Sequence, residues 1–181
     1  MSSSIKIIQS DIAALTTDCV VNAANEALAQ GSGVCGAIFK AAGAAELTDA
    51  CRRIGGCRVG SAVITPGFRL PAKYIIHAVG PRWHGGGAGE PEQLRSCYRA
   101  ALGLAREYGC HSIGFPLISA GVFHYPLHEA WQTAIESVTA YLAENPDFDM
   151  DVVFAVRDPE KLRQGQAILD SVTKNGSVPV S

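Results

Sequence analysis

Short apolar runs alternate with longer amphipathic stretches along almost the whole chain. Ile5 to Ile8, Cys19 to Asn22, Ser61 to Thr65, Tyr74 to Val79, Ser112 to Phe115 and Asp151 to Val156 are brief and mostly apolar. Their brevity and flanking turn residues predict strands, and Cys19-Val20-Val21 lacks the alternation of a half-exposed one, which predicts burial on both faces. Val34 to Ala42, Ala45 to Ile54, Pro91 to Tyr108, Leu127 to Ala143 and Glu160 to Val172 carry a helical period. In the first of these, Val34, Ala37, Ile38 and Ala41 are expected to form the buried face. In the third, the expected stripe is Leu94, Tyr98, Ala101, Leu102 and Ala105. Ile12 to Thr17 reads as a brief helical turn. This order predicts one α/β domain over residues 1–174, with a mostly parallel sheet covered by helices on both faces. Residues 175–181 are polar with Gly and Pro and read as a flexible tail.

Composition narrows the picture. The chain has 181 residues, enough for one substantial core but not for two ordinary domains. Fifteen Lys and Arg stand against 17 Asp and Glu, a net charge of −2 that supplies no basic footprint for nucleic acid. Neither a membrane span nor a basic-then-apolar leader is expected, so a soluble cytoplasmic protein is the reading. Most of the six cysteines sit inside apolar or helical stretches and are expected as reduced thiols. Most helices look amphipathic on one side only, which fits a monomer.

Ligands of such sheets sit where strand carboxyl ends lead into helices. Three loops satisfy that placement, after Asn22, after Val79 and after Phe115. In the first, Asn22 and Asn25 flank two alanines, and their carboxamides either tie a turn to the backbone or offer uncharged donors and acceptors to a sugar or water. Gly31-Ser32-Gly33-Val34-Cys35-Gly36 then enters a helix, as a cradle for an anion or simply as a tight entry. The glycine spacing matches neither a Walker motif nor a dinucleotide fingerprint. In the loop after Phe115, Ser119, Ala120 and Gly121 can present N–H groups to a second side of a diphosphate, with Phe123 packing on a ribose or into the core. Asp11, just after the first strand, is either a helix-turn cap or an acceptor for an adenine amine. Arg82, Trp83 and His84 form a pocket rim with no chemistry assigned. No metal site is expected: Cys51 and Cys57 are too far apart for a knuckle, and Pro126 separates His124 from His128. Cys35 has no sequence-local His or acid to make it a catalytic nucleophile.

In family order over roughly residues 5 to 172, the chain carries Gln9-Ser10-Asp11-Ile12, Val20-Val21-Asn22-Ala23-Ala24-Asn25, the Gly31–Gly36 loop, Leu70-Pro71-Ala72-Lys73-Tyr74-Ile75-Ile76-His77-Ala78-Val79-Gly80-Pro81 and Phe115-Pro116-Leu117-Ile118-Ser119-Ala120-Gly121-Val122-Phe123. Taken together, these segments resemble the macrodomains that bind ADP-ribose. The closest resemblance is to the branch that removes mono-ADP-ribose from proteins and deacetylates O-acetyl-ADP-ribose. The resemblance implies a three-layer α/β/α sandwich around a mixed, mostly parallel sheet. It also implies that Asp11 and Ile12 meet the adenine, and that Gly33, Val34, Cys35 and Gly36 face Ser119, Ala120, Gly121 and Val122 across the diphosphate. Asn25 would hold the distal ribose and orient water there, Asn22 is expected among the ligand contacts, and Phe123 would shape that end. Free ADP-ribose, O-acetyl-ADP-ribose or mono-ADP-ribosylated protein is the expected partner, with no cofactor and no metal.

Three positions depart from that branch. Cys35 stands where it commonly has an Asp, Phe39 where it has a His, and Arg157 where an aromatic ring often covers the adenine. A thiol is a poor water-positioner and a phenyl ring carries no proton. Arg157 offers a cationic plane to stack on the base. The expectation is therefore a hydrolase working from Asn25, with a non-catalytic ADP-ribose reader as the alternative.

Overall fold

The computed structural model describes residues 2–173, so the tail expected over 175–181 lies outside the described residues. Six strands are present: β1 (Ser4–Gln9), β2 (Cys19–Ala23), β3 (Ala62–Pro66), β4 (Tyr74–Ala78), β5 (Ser112–Phe115) and β6 (Asp151–Val156). Five helices join them: α1 (Gly33–Ala42), α2 (Ala44–Ile54), α3 (Glu90–Glu107), α4 (Leu127–Glu144) and α5 (Pro159–Thr173). A 3-10 turn covers Ile12–Ala14. Every element lies within a few residues of its expected position.

The sheet order is β1-β6-β5-β2-β4-β3. All neighbours pair parallel except β3 and β4. The exception has a simple cause, because residues 67–73 are too few for the crossover that parallel pairing needs. Alternation along each strand divides the core in two. Cys19, Val21, Ile76, Ile113 and Phe154 join the side chains of α3, α4 and α5 on one face. Val20, Ile75 and Ala155 join α1, α2 and the 3-10 turn on the other. Helices therefore cover both faces, as the α/β/α expectation required.

One expected face is rotated. In α1 the buried side chains are Cys35, Ile38, Phe39 and Ala42, not the Val34, Ala37, Ile38 and Ala41 stripe. Val34 and Ala37 instead border an open cleft at the sheet edge. A periodic pattern cannot distinguish an apolar side chain packed on the sheet from one bordering a cavity. The α3 stripe is as expected, with Cys97 added to it. All six cysteines are free thiols. No helix among the described residues is long and apolar enough to cross a membrane.

Candidate functional site

Because β1, β6, β5, β2 and β4 run parallel, their carboxyl ends share one edge, and a cavity of about 490 Å³ opens there. That volume lies within the range of small-molecule sites. Its floor and walls come from Ser10–Ile12 after β1, Ala23–Asn25 after β2, Gly80 after β4, Pro116–Phe123 (all but Ala120) after β5, and Val156–Asp158 with Lys161 after β6. Three strand-end loops were expected from the sequence, and five contribute. The loops after β1 and β6 carry the same signal, a parallel strand ending in polar residues. Asp11 and Arg157 were expected from those two loops, and Ser10, Asp158 and Lys161 beside them were not.

Of the expected residues, Asp11, Ile12, Asn25, Gly33, Val34, Cys35, Ser119, Gly121, Val122, Phe123 and Arg157 line the cavity. Asn22, Gly36 and Ala120 are not among its lining residues. Phe39 is buried away from it, edge-on to the His77 ring at 6.4 Å. Asp11 does cap the 3-10 turn, accepting from the Ala13 N–H at 3.0 Å, and its second oxygen is left for another donor.

Two loops bring N–H groups to the cleft. In α1 the first bond runs from Gly36 N–H to the Ser32 carbonyl at 3.3 Å. The N–H groups of Gly33, Val34 and Cys35 therefore precede the helical ladder and stay unpaired within it. Across the cavity, Tyr125 N–H donates to the Ser119 carbonyl and His124 N–H to the Gly121 carbonyl, each at 2.9 Å. These bonds curl the loop, and Ser119 takes a positive φ of 69°. Among the described residues, the N–H groups of Ser119, Gly121, Val122 and Phe123 donate to no backbone carbonyl. Two rows of free donors, one at a helix start, suit an anion that spans them. Gly80 permits the close packing beneath, because a Cβ there would lie 2.3 Å from the Ser119 hydroxyl oxygen.

Asn25 is half-buried at one end of the cavity and its carboxamide is already tethered. Its Oδ1 accepts from the Ala29 N–H at 2.9 Å, and its Nδ2 donates to the Ala29 carbonyl at 3.0 Å. A primary amide has two N–H donors and two lone pairs, so one of each remains. The tie to the backbone and the offer to a ligand, alternatives in the sequence, are compatible in the fold.

Beneath Asn25 runs a buried polar chain. Thr65 donates to the Pro66 carbonyl at 3.1 Å and lies 3.0 Å from His77 Nε2. Asn22 Nδ2 lies 3.1 Å from His77 Nδ1 and 3.7 Å from Cys35 Sγ, and that thiol donates to the Ala29 carbonyl at 3.7 Å. Every role is consistent when His77 carries its proton on Nε2 and accepts at Nδ1. Ala29 thus receives both the end of this chain and the Asn25 tether. The sequence singled out Asn22 as a contact, and the fold makes it a support. His77 went unread because an apolar strand context gives no sign of its partners.

Burial holds the His77 imidazole neutral, lowering its pKa from the usual 6.5 to about 4. The unfolded chain takes up this proton near pH 6.5 while the folded chain resists it down to about 4. Stability from this group is thus fully present above pH 6.5 and falls as the pH drops toward 4, by about 3 kcal/mol. Urea unfolding at pH 7 and pH 4.5 is expected to show a smaller acid loss in His77→Gln than in the natural sequence.

A smaller cavity of about 290 Å³ adjoins the first and shares Asn25, Gly80 and Phe123 with it. Its far wall is the 80–90 loop, including Arg82, His84 and Glu90. Burial alone would raise the Glu90 carboxyl. Backbone N–H groups outweigh that and hold it down to about 2, those of His84, Gly86 and Ala88 donating at 2.7, 2.9 and 2.7 Å. Glu90 is therefore the staple of this glycine-rich loop. Among the described residues, no group of three or more His, Cys, Asp or Glu side chains is arranged to hold a metal ion.

Comparison with known proteins gives one consistent result. The family model described as Macro domain matches residues 21–134. A macro domain-containing protein of Chlorobaculum tepidum is 53% identical over 140 residues, covering 77% of this chain and 81% of that protein. An O-acetyl-ADP-ribose deacetylase of Cronobacter sakazakii is 43% identical over 173 residues, covering 93% and 95%. Among solved structures, a mutant form of the Oceanobacillus iheyensis macrodomain with ADPR superposes at a TM-score of 0.87 with 37% identity, over 93% of this chain and 92% of that one.

Proposed function

This chain belongs to the macro domain family, and from that premise we propose that its edge cavity binds ADP-ribose and that water there cleaves mono-ADP-ribose esters on proteins or the acetyl ester of O-acetyl-ADP-ribose. The observation that carries the proposal is the pair of N–H rows, Gly33–Cys35 and Ser119 with Gly121–Phe123, facing one cavity that has the tethered Asn25 at its end. A diphosphate spans such a pair, whereas a single phosphate needs only one of them. The relatives of this chain, a deacetylase of O-acetyl-ADP-ribose and a macrodomain with ADPR, support the same ligand. Asp11 and the exposed Arg157 side chain then attend the adenine, and Asn25 the distal ribose.

The catalytic share of the protein is positioning. Fixed N–H groups hold the diphosphate, the remaining Asn25 amide groups orient the ribose and a water, and a diphosphate oxygen helps keep that water in line. Among the described residues, the carboxylates lining the cavity are Asp11 and Asp158, on the loops after β1 and β6. No strong base therefore accompanies Asn25 within the cavity.

That same fact favours a second reading, a module that binds mono-ADP-ribosylated protein without turnover. Cys35 spends its thiol proton on the Ala29 carbonyl and Phe39 is buried. The deciding experiment is release of ADP-ribose from an aspartate- or glutamate-linked mono-ADP-ribosylated protein, with ADP-ribose affinity measured by calorimetry on the same preparation. Release is the expected result. Tight binding without release from this or from O-acetyl-ADP-ribose would establish the reader instead, and failure to bind ADP-ribose would remove both readings.

A further inference from the structure

Resting on the hydrolase reading, we propose that the smaller cavity seats the group that leaves the distal ribose, and that Arg82 is a specificity-determining residue that stabilises a departing carboxylate there. The cavity meets the ADP-ribose cleft at Asn25, Gly80 and Phe123, so a substituent on the distal ribose held by Asn25 is led directly into it. Arg82 is on its wall, with its guanidinium carbon 4.5 Å from the centre of the Phe123 ring. Stacking on a residue common to both cavities holds the cation at their junction. Trp83 strengthens this wall, since its backbone N–H donates to the Phe123 carbonyl at 2.9 Å and its ring packs 4.7 Å from that of Tyr125.

The neighbouring charges leave Arg82 available. Among the described residues it makes no ion pair, unlike Arg53, Arg69, Arg95, Arg99, Arg106 and Arg163. The Glu90 carboxylate in the same cavity is consumed by three backbone N–H groups. Glu26 and Arg82 are both exposed, so water and salt weaken the attraction between them. His84 adds ring nitrogens to the wall and Gln93 an amide. A planar guanidinium with free paired donors matches a carboxylate in shape and charge.

In the step itself, the water oxygen bonds to the anomeric carbon as that carbon's bond to the ester oxygen breaks. The carboxylate departs with the bonding pair, and the proton of the water passes to solvent. Negative charge therefore grows on the leaving oxygen, and Arg82 meets it with a charge already fixed in position. Linkages whose leaving group departs without such charge gain nothing from this residue.

A series of ADP-ribosyl esters of carboxylic acids of graded acidity tests the assignment. In the natural sequence kcat/KM is expected to depend weakly on leaving-group acidity. In Arg82→Ala it should fall about tenfold to a hundredfold for the weakest acids and less for the strongest, a steeper dependence. Arg82→Lys should recover part of the loss, and added guanidinium ion should rescue Arg82→Ala. Calorimetry with ADP-ribose on each variant reports whether the adjoining cleft is intact. An unchanged dependence on leaving-group acidity without guanidinium rescue overturns the assignment of Arg82 alone. Absence of turnover by the natural sequence on every ester overturns the hydrolase reading together with it.

Discussion

Asn25→Ala is expected to lower ADP-ribose release by about a hundredfold or more, with a smaller loss of ADP-ribose affinity. The carboxamide is held by the Ala29 N–H at 2.9 Å and the Ala29 carbonyl at 3.0 Å, so its plane is fixed before any ligand arrives. Preorganised polar groups act most strongly where charge and geometry change during the reaction, and less on the bound ground state. Alanine removes both groups and also releases the Ala29 peptide, which then loses the partner that shapes residues 26–30. Asn25→Gln is the sharper control, since its longer side chain retains the amide but cannot close the same ring on Ala29. Both variants should lose kcat by more than they raise KM. Full turnover in Asn25→Ala with retained affinity would move the chemistry away from this residue.

Gly36→Ala is expected to weaken ADP-ribose binding by about tenfold to a hundredfold, the equivalent of roughly 1.4–3 kcal/mol. Gly36 is not a cavity-lining residue, so the effect arises from packing and not from a lost contact. A Cβ at this position would lie 2.6 Å from the Gly31 carbonyl oxygen, a distance that real side chains do not tolerate. The obstacle is backbone, so the only relief is movement of the loop itself. The same loop runs close to the site, since a Cβ built on Gly31 would lie 3.7 Å from the Cys35 Sγ and 3.9 Å from the Asn25 Nδ2. Displacement of that loop disturbs both the N–H row at the start of α1 and the distal end of the cavity. Calorimetry with ADP-ribose, beside a thermal melt that reports the fold, checks the expectation. Unaltered affinity would show that the loop closes around the ligand without its apo arrangement.

The alternation of strand and helix was legible because it is local. A buried strand must be apolar and short, and a helix between sheet and solvent must be amphipathic, so Asp151–Val156 and Glu90–Glu107 announce themselves within a few residues. The two small-residue loops were legible for a related reason. Gly31–Gly36 and Ser119–Gly121 follow apolar strands and precede helices, the place where parallel sheets leave donors unpaired. The family pattern added the expectation of which ligand, which spacing alone did not supply.

The buried face of α1 and the role of Asn22 were decided elsewhere. Val34 and Cys35 are neighbours at a helix start and both border the cleft, and only the tertiary packing leaves Val34 exposed there while Cys35 is buried against Asn22 and Ala29. Asn22, His77 and Thr65 lie on three different strands, β2, β4 and β3, and become partners only through the register that pairs Asn22 with His77. The same holds for Arg82 and Phe123, forty-one positions apart in the chain and stacked by the meeting of two loops. By itself, then, the sequence determined the elements, their order and the candidate anion loops, since these follow from local patterning and backbone chemistry. Tertiary structure alone decided which side chains line the cavity, which support it from below and which cation stands at the junction of the two cavities. Those relations join residues distant in the chain, and no local period encodes them.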